Sequence, residues 1–303
     1  MTSTLVQETD LPQRARDWAE LQERMLVPLY EAVYDRLDVG AGTRLLGLGC
    51  GSGLALLLAA ARGATVTGVD SDASRLDLAR ALLLPRPEET PRGDARLVRR
   101  ATDEAAGTDG TDGSTTGTAH AARADGRERP DGAEDADAVL PPRGPRPDVV
   151  TAFDALAESA ELARTAASLD RGTPVVLAGW GPPERCGAAA ALDVAARLSG
   201  PPSGTTGEAG VRPRPGGRDD LEELARRSGL RPDGSGRVAC PFTYADMDSA
   251  VRGLLSTGLY DDAVRVTGEV DVCRELTDAL RPHLRPDGTV WMPNLFRYVI
   301  ART

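Results

Sequence analysis

Arg44-Leu45-Leu46-Gly47-Leu48-Gly49-Cys50-Gly51-Ser52-Gly53, followed further on by Gly68-Val69-Asp70, decides the reading of this chain. A short apolar run meets alternating glycines. A helix-like run, Leu54 to Ala61, comes next, and a second apolar strand, Thr65 to Val69, ends on an acid. The order is strand, tight turn, helix, strand, acid. Glycine lets the backbone approach a ligand that a Cβ would block. The helix start offers free N–H groups and the positive end of a dipole. An acid at the tip of the second strand can accept hydrogen bonds from ribose hydroxyls.

The spacing selects among nucleotides. A dinucleotide fingerprint reads G-x-G-x-x-G and a phosphate loop reads G-x-x-x-x-G-K-[ST]. This chain reads G-x-G-x-G and contains no lysine, which excludes the phosphate loop and any lysine Schiff base, and with it pyridoxal phosphate chemistry. Gly47 to Gly53 resembles the first motif of the small bacterial class I S-adenosylmethionine-dependent methyltransferases, [DE]-x-G-x-G-x-G, except at its first position. The segments PDVVTAF, GTPVVLAGWGPPERC and DGTVWMPNLFRYVIAR are similar to the later strands of that family.

Composition narrows the class. The 303 residues suffice for one α/β core. All 36 basic residues are Arg, the usage of a GC-rich, actinobacterial-type genome. A net charge of −10 argues against nucleic acid as a partner. The cysteines Cys50, Cys186, Cys240 and Cys273 lie far apart without a CxxC pair. That pattern predicts thiols in a reducing cytoplasm and no metal site. No apolar run reaches membrane-spanning length, so no membrane partner is expected.

Around the glycine turn, residues 12 to 37 repeat apolar side chains at helical spacing. Strands are expected at Thr43–Leu48, Thr65–Val69, Ala95–Arg99, Asp148–Phe153, Pro174–Ala178, Arg237–Phe242 and Val290–Ala301. Helices are expected at Leu54–Arg62, Ala73–Leu83 capped by Asp72, Leu156–Leu169, Glu184–Leu198, Asp219–Ser228, 246–256 and 260–281. Residues 102–147 have almost no large apolar side chain besides Val139 and Leu140, contain the low-complexity stretch TDGTDGSTTG and read as a low-complexity loop insertion.

The alternation predicts an α/β, doubly wound parallel sheet. The resemblance implies a Rossmann-like seven-stranded order, 3-2-1-4-5-7-6 with the last strand antiparallel, in a single domain over 1–303. It also implies an N-terminal helical cap over 1–40 and a helical cover over the acceptor pocket at 243–285. S-adenosylmethionine is the implied cofactor, with Gly47, Gly49, Cys50, Gly51, Asp70, Ser71 and Phe153 around it and a small-molecule acceptor as partner; a homodimer is left open. Trp18, Tyr30, Tyr34 and Trp180 are candidates for the substrate pocket, with core packing as the alternative for each tyrosine and for Phe153.

General-base candidates are Asp154 and Glu158, just past strand four, and His283, at the end of the last helix. The alternatives are helix-start acids and a histidine favoured by a helix C-terminus. His120 falls in the loop insertion. Three departures from the family pattern stand out: Gly47 replaces the acid that helps hold the cofactor's ammonium; Arg100, Ala101 and Thr102 stand where an acid usually meets the adenine, with Asp103 the nearest acid; and Asp154-Ala155-Leu156-Ala157-Glu158 replaces bulky or amide side chains. These departures admit a second function, a cyclase or isomerase on the same fold. For a methyltransferase in secondary metabolism, restoring the acid with Gly47→Asp is expected to hold or tighten cofactor binding.

Overall fold

The computed structural model describes residues 4–84, 95–100, 145–154, 159–199 and 219–303. The greater part of the 102–147 insertion and of the second Gly/Pro-rich stretch lies outside them, as do Glu158, Asp103 and His120.

The sheet follows the expected order. Strands β1 (Arg44–Leu48), β2 (Thr65–Asp70), β3 (Ala95–Arg99), β4 (Val149–Ala152) and β5 (Pro174–Trp180) run parallel. Strand β9 (Leu295–Arg302) runs antiparallel between β5 and β6 (Arg231–Ala239). The full order is β3-β2-β1-β4-β5-β9-β6. Alternation along each strand feeds two cores. Leu45, Val66, Val149, Val176 and Ile300 face one side, against α2 (Val27–Arg36), α3 (Leu54–Ala61) and α6 (Ala189–Leu198). Leu46, Val69, Val150, Leu177 and Val299 face the other, against α5 (Ser159–Ala167) and α7 (Asp220–Arg227). Strands buried on both faces read as continuous apolar runs, which is why β1, β4 and β5 are visible in the sequence.

Several expected boundaries are corrected. Strand six lies at 231–239 rather than 237–242. Its Arg-Pro-Asp-Gly-Ser-Gly start carries turn residues, yet it forms the sheet edge, where Pro232 is tolerated and a bulge separates Pro232 from Gly234. Gly236 sits under the Tyr298 ring, where an added Cβ would come within 2.3 Å of Cζ. Phe242 belongs instead to β7 (Phe242–Tyr244), which pairs with β8 (Val290–Met292) in a separate two-stranded sheet. The expected last strand is therefore two strands, interrupted at Pro293 and Asn294. There the Asn294 side chain accepts from the Ala188 N–H at 3.0 Å and its carbonyl from the Cys240 N–H at 2.9 Å.

Helix 260–281 is two helices, α9 (Asp261–Thr267) and α10 (Glu269–Leu280), broken by Gly268 at φ +90°. Helix 184–198 shortens to a single 3₁₀ turn, Pro183–Arg185, followed by α6, because the Gly187 N–H donates to the Pro293 carbonyl. Helix α8 (Met247–Leu255) packs on the N-terminal segment, and α9 and α10 pack on α6, where the Tyr260 hydroxyl donates to the Ala191 carbonyl at 3.0 Å.

The N-terminal helical run is continuous but not uniform. Helix α1 (Thr4–Asp17) passes into a π turn at Trp18–Gln22, a 3₁₀ turn at Glu23–Leu26 and then α2. Among the described residues no helix is long and apolar enough to cross a membrane, and no group of three or more His, Cys, Asp or Glu is placed to hold a metal ion. No disulfide joins the four cysteines.

Candidate functional site

The glycine turn carries Gly49, Gly51 and Gly53 at φ +61°, +57° and +87°, a region that side chains other than glycine rarely enter. The turn closes with the Gly53 N–H donating to the Cys50 carbonyl, and the Cys50 N–H donates to Val69 of β2, both at 3.0 Å. Helix α4 (Ala73–Leu83) starts just past β2, and Asp72 caps it by accepting from the N–H groups of Ser74 and Arg75. Asp70, at the tip of β2, is buried. One of its oxygens accepts from the Gly51 N–H and the other from the Asp72 N–H, each at 2.8 Å. Burial raises its pKa, while those two N–H groups oppose the shift. The acid thus holds the glycine turn in shape, and each oxygen keeps a further acceptor position.

Two side chains of the N-terminal segment stand over Gly51. A Cβ there would lie 3.0 Å from Trp18 Nε1 and 3.2 Å from Glu23 Oε1. The π turn produces this pairing. The Glu23 N–H donates to the Trp18 carbonyl, an i→i+5 bond that brings the two residues onto one side. Trp18 Nε1 is buried without a hydrogen-bond partner, and the Arg75 guanidinium lies over the indole at 4.5 Å. Glu23 is only 2% exposed and accepts a hydrogen bond from the Ser52 hydroxyl. Burial pushes its carboxyl pKa up to about 7, against the opposing pull of Ser52, Arg75 and the backbone N–H of Leu54. The segment is fastened from beyond: the Tyr244 hydroxyl donates to Gln22 Oε1 at 2.7 Å.

These groups border a cavity of about 450 Å³, open solvent at its mouth included, at the carboxyl edge of β1 and β4. Its floor is Gly47, Leu48, Gly49, Cys50 and Gly51 from β1 and the turn, with Ala55 and Leu56 from α3. Thr151, Phe153 and Asp154 close it from β4, and Trp18, Glu23, Leu26 and Tyr30 from the N-terminal segment. The Tyr30 and Phe153 rings meet with centroids 4.5 Å apart. Among the described residues the lining holds two carboxylates, three aromatic rings and no basic side chain. Such a site favours a cation, by charge and through the faces of the rings.

Of the residues singled out from the sequence, Gly47, Gly49, Cys50, Gly51, Phe153, Trp18, Tyr30 and Asp154 therefore share one cavity. Asp70 reaches it only through Gly51, and Ser71 lies beyond the lining. Tyr34 does not line it: fully buried, it donates to the Ala55 carbonyl at 2.8 Å. Nor does Trp180, which packs on Phe296 and Phe242 with ring centroids at 4.6 and 5.5 Å. His283 sits beside Gly187, away from the cavity. Glu23, Leu26, Thr151, Ala55 and Leu56 escape the sequence reading.

Position 47 is tight for the acid that the family pattern places there. A Cβ would meet Leu56 Cδ2 at 3.0 Å, and Leu56 is fully buried. Gly47→Asp is therefore expected to lower stability by about 1–3 kcal/mol through overpacking. The effect on stability stands beside the expectation that the restored acid holds or tightens cofactor binding. Thermal unfolding of the variant checks it, and an unchanged melting temperature would contradict the packing argument.

No protein-family model and no curated protein sequence matches the chain. Solved structures do. The YcgJ protein of Bacillus subtilis superposes with a TM-score of 0.50 at 14% identity, over 90% of this chain and 97% of that one. BH2331 of Bacillus halodurans, assigned as a methyltransferase, gives 0.48 at 13% identity over 89% and 97%. The [4+2]-cyclase SpnF gives 0.45 at 15% identity over 91% and 80%. With its strand order and its antiparallel β9, the chain has the Rossmann-like fold of the class I methyltransferases.

Proposed function

We propose that this chain is an S-adenosylmethionine-dependent methyltransferase acting on a small organic acceptor in secondary metabolism. One observation carries the reading: a left-handed glycine turn, held by Asp70, opens onto a cavity that is acidic, aromatic and free of basic lining side chains among the described residues. The residues present suit the cofactor. Gly49 and Gly51 line the cavity with backbone in the left-handed region, and at Gly51 a Cβ would crowd Trp18 and Glu23. The open acceptor positions of Asp70 suit ribose hydroxyls, and Ser71 would lie beside the adenosine. The bound cofactor supplies an electrophilic methyl group on a sulfonium.

The chain's own work is then positioning. Tyr30 and Phe153 wall the acceptor and exclude water. Asp154, in the same cavity, is the group placed to take a proton from an acceptor hydroxyl or amine. The segment carrying Trp18 covers the turn, and α8 supports that segment from behind.

The second reading, a cyclase or isomerase, is favoured by Gly47 and by Arg100, which stands directly after β3 with its N–H donating to the Asp70 carbonyl at 2.9 Å. Mass analysis of products formed with and without added S-adenosylmethionine separates the two. A product heavier by one methyl group and strictly dependent on the cofactor supports methyl transfer. A product of unchanged mass from cofactor-free protein supports the second reading.

A further inference from the structure

We infer that Glu23, carried by the N-terminal segment, supplies the carboxylate that β1 lacks at Gly47 and receives the ammonium group of the cofactor. The inference rests on the function proposed above and assigns a binding residue within that site.

Four observations converge on Glu23. Leu56 crowds position 47, so an acid on the strand itself would need Leu56 to shift. The π turn delivers Glu23 to the same cavity wall, directly over Gly51. Such local departures from α-helical bonding concentrate at functional sites. Glu23 shares the cavity with Gly47 and Gly49; the described lining itself contains no basic side chain, and Arg75, over the Trp18 indole, acts on Glu23 from outside it. Burying a carboxylate this deeply is costly unless a cation meets it, and an ammonium is the cation that a methionine-derived ligand brings.

The groups facing Glu23 define its charge. Arg75 approaches from α4, Tyr30 and Tyr34 from α2, Asp154 from beyond β4, and Asp70 lies behind Gly51. With the carboxyl titrating near 7, part of the ligand-free protein is protonated there at neutral pH. An arriving ammonium stabilises the carboxylate and expels that proton. Cofactor affinity then rises with pH up to about 7 and levels off above it.

The test is calorimetric titration of the full chain with S-adenosylhomocysteine and with 5′-methylthioadenosine, which lacks the amino-acid end. Wild type and Glu23→Gln are compared at about pH 6 and about pH 8, in buffers of different protonation heat. Wild type is expected to release protons on binding S-adenosylhomocysteine at the lower pH and none on binding 5′-methylthioadenosine. Glu23→Gln is expected to weaken S-adenosylhomocysteine roughly tenfold or more, the loss of one charge-assisted contact. It is expected to leave 5′-methylthioadenosine unchanged.

Equal loss for both ligands overturns the inference, as does no loss. Tighter binding of S-adenosylhomocysteine by the variant also overturns it, because Glu23 would then be competing with the ligand's carboxylate for the start of α3. Should Glu23→Gln not fold, the wild-type difference in proton release between the two ligands decides alone. Binding of neither ligand by wild type strikes the proposed function itself, whereas wild-type binding without these Glu23 effects strikes only this inference.

Discussion

Phe242→Ala is expected to cost about 3–5 kcal/mol, the upper range for emptying a buried aromatic site. Phe242 is fully buried and touches three other rings, with centroids 5.5 Å from Trp180, 6.1 Å from Phe296 and 6.5 Å from Tyr244. Those partners come from β5, β9 and β7, so the ring joins the small β7–β8 sheet to the main one. Strand β7 has three residues and one sheet partner, and gains little from its own ladder. The consequence reaches the site, because Tyr244 on the same strand holds Gln22 of the π turn. Denaturant unfolding of wild type and variant measures the effect. A loss below about 1 kcal/mol would mean that the cavity collapses freely or that the ring cluster does not carry the contact.

Asp70→Ala is expected to weaken binding of S-adenosylhomocysteine by about 1.5–3 kcal/mol, roughly ten- to hundredfold, through lost hydrogen bonds to a charged group. It also strands the N–H groups of Gly51 and Asp72, so a parallel loss of about 1–3 kcal/mol in folding stability is expected. The two effects are separable. Titration at a temperature where the variant is fully folded reports binding, and thermal unfolding reports the turn. A folded variant with wild-type affinity would remove Asp70 from the cofactor site and leave it as a clamp on the glycine turn alone.

The parts of the fold legible in the sequence share one property: local pattern and tertiary role agree. The glycine turn needs left-handed backbone, and glycine is what stands at 49, 51 and 53. Strands β1, β4 and β5 read directly because both faces are covered or nearly so, and Asp72 announces α4 as a cap with its side chain on two N–H groups. Where the two disagree, the sequence misleads. Residues 231–236 carry turn chemistry, yet pairing with β9 makes them a strand. The run from Val290 to Ala301 looks continuous, but Pro293 has no N–H to donate and the backbone turns to hold Gly187 and Cys240.

The site divides along the same line. Gly47 to Gly51, Phe153 and Asp154 were legible because open α/β sheets present ligands at the carboxyl ends of their strands. Trp18 and Tyr30 stood out as aromatics on a helical face. Glu23 did not, because apolar periodicity assigns a charged residue to the solvent face. Its burial follows from the π turn, which inserts one residue into the helical count and rotates Glu23 inward beside Trp18. Tyr34 and Trp180 mislead in the opposite sense. Both have the right residue type near the right edge, yet each is consumed by packing, one against the Ala55 carbonyl and the other against Phe242 and Phe296.

The reading of the whole chain turns on whether the glycine turn and its cavity take the cofactor. Calorimetric titration of the purified protein with S-adenosylmethionine and with S-adenosylhomocysteine measures this directly. Saturable binding of both at one site per chain, weakened by Asp70→Ala, is the predicted result. No heat of binding at any concentration of either ligand, with no shift in melting temperature, would contradict it.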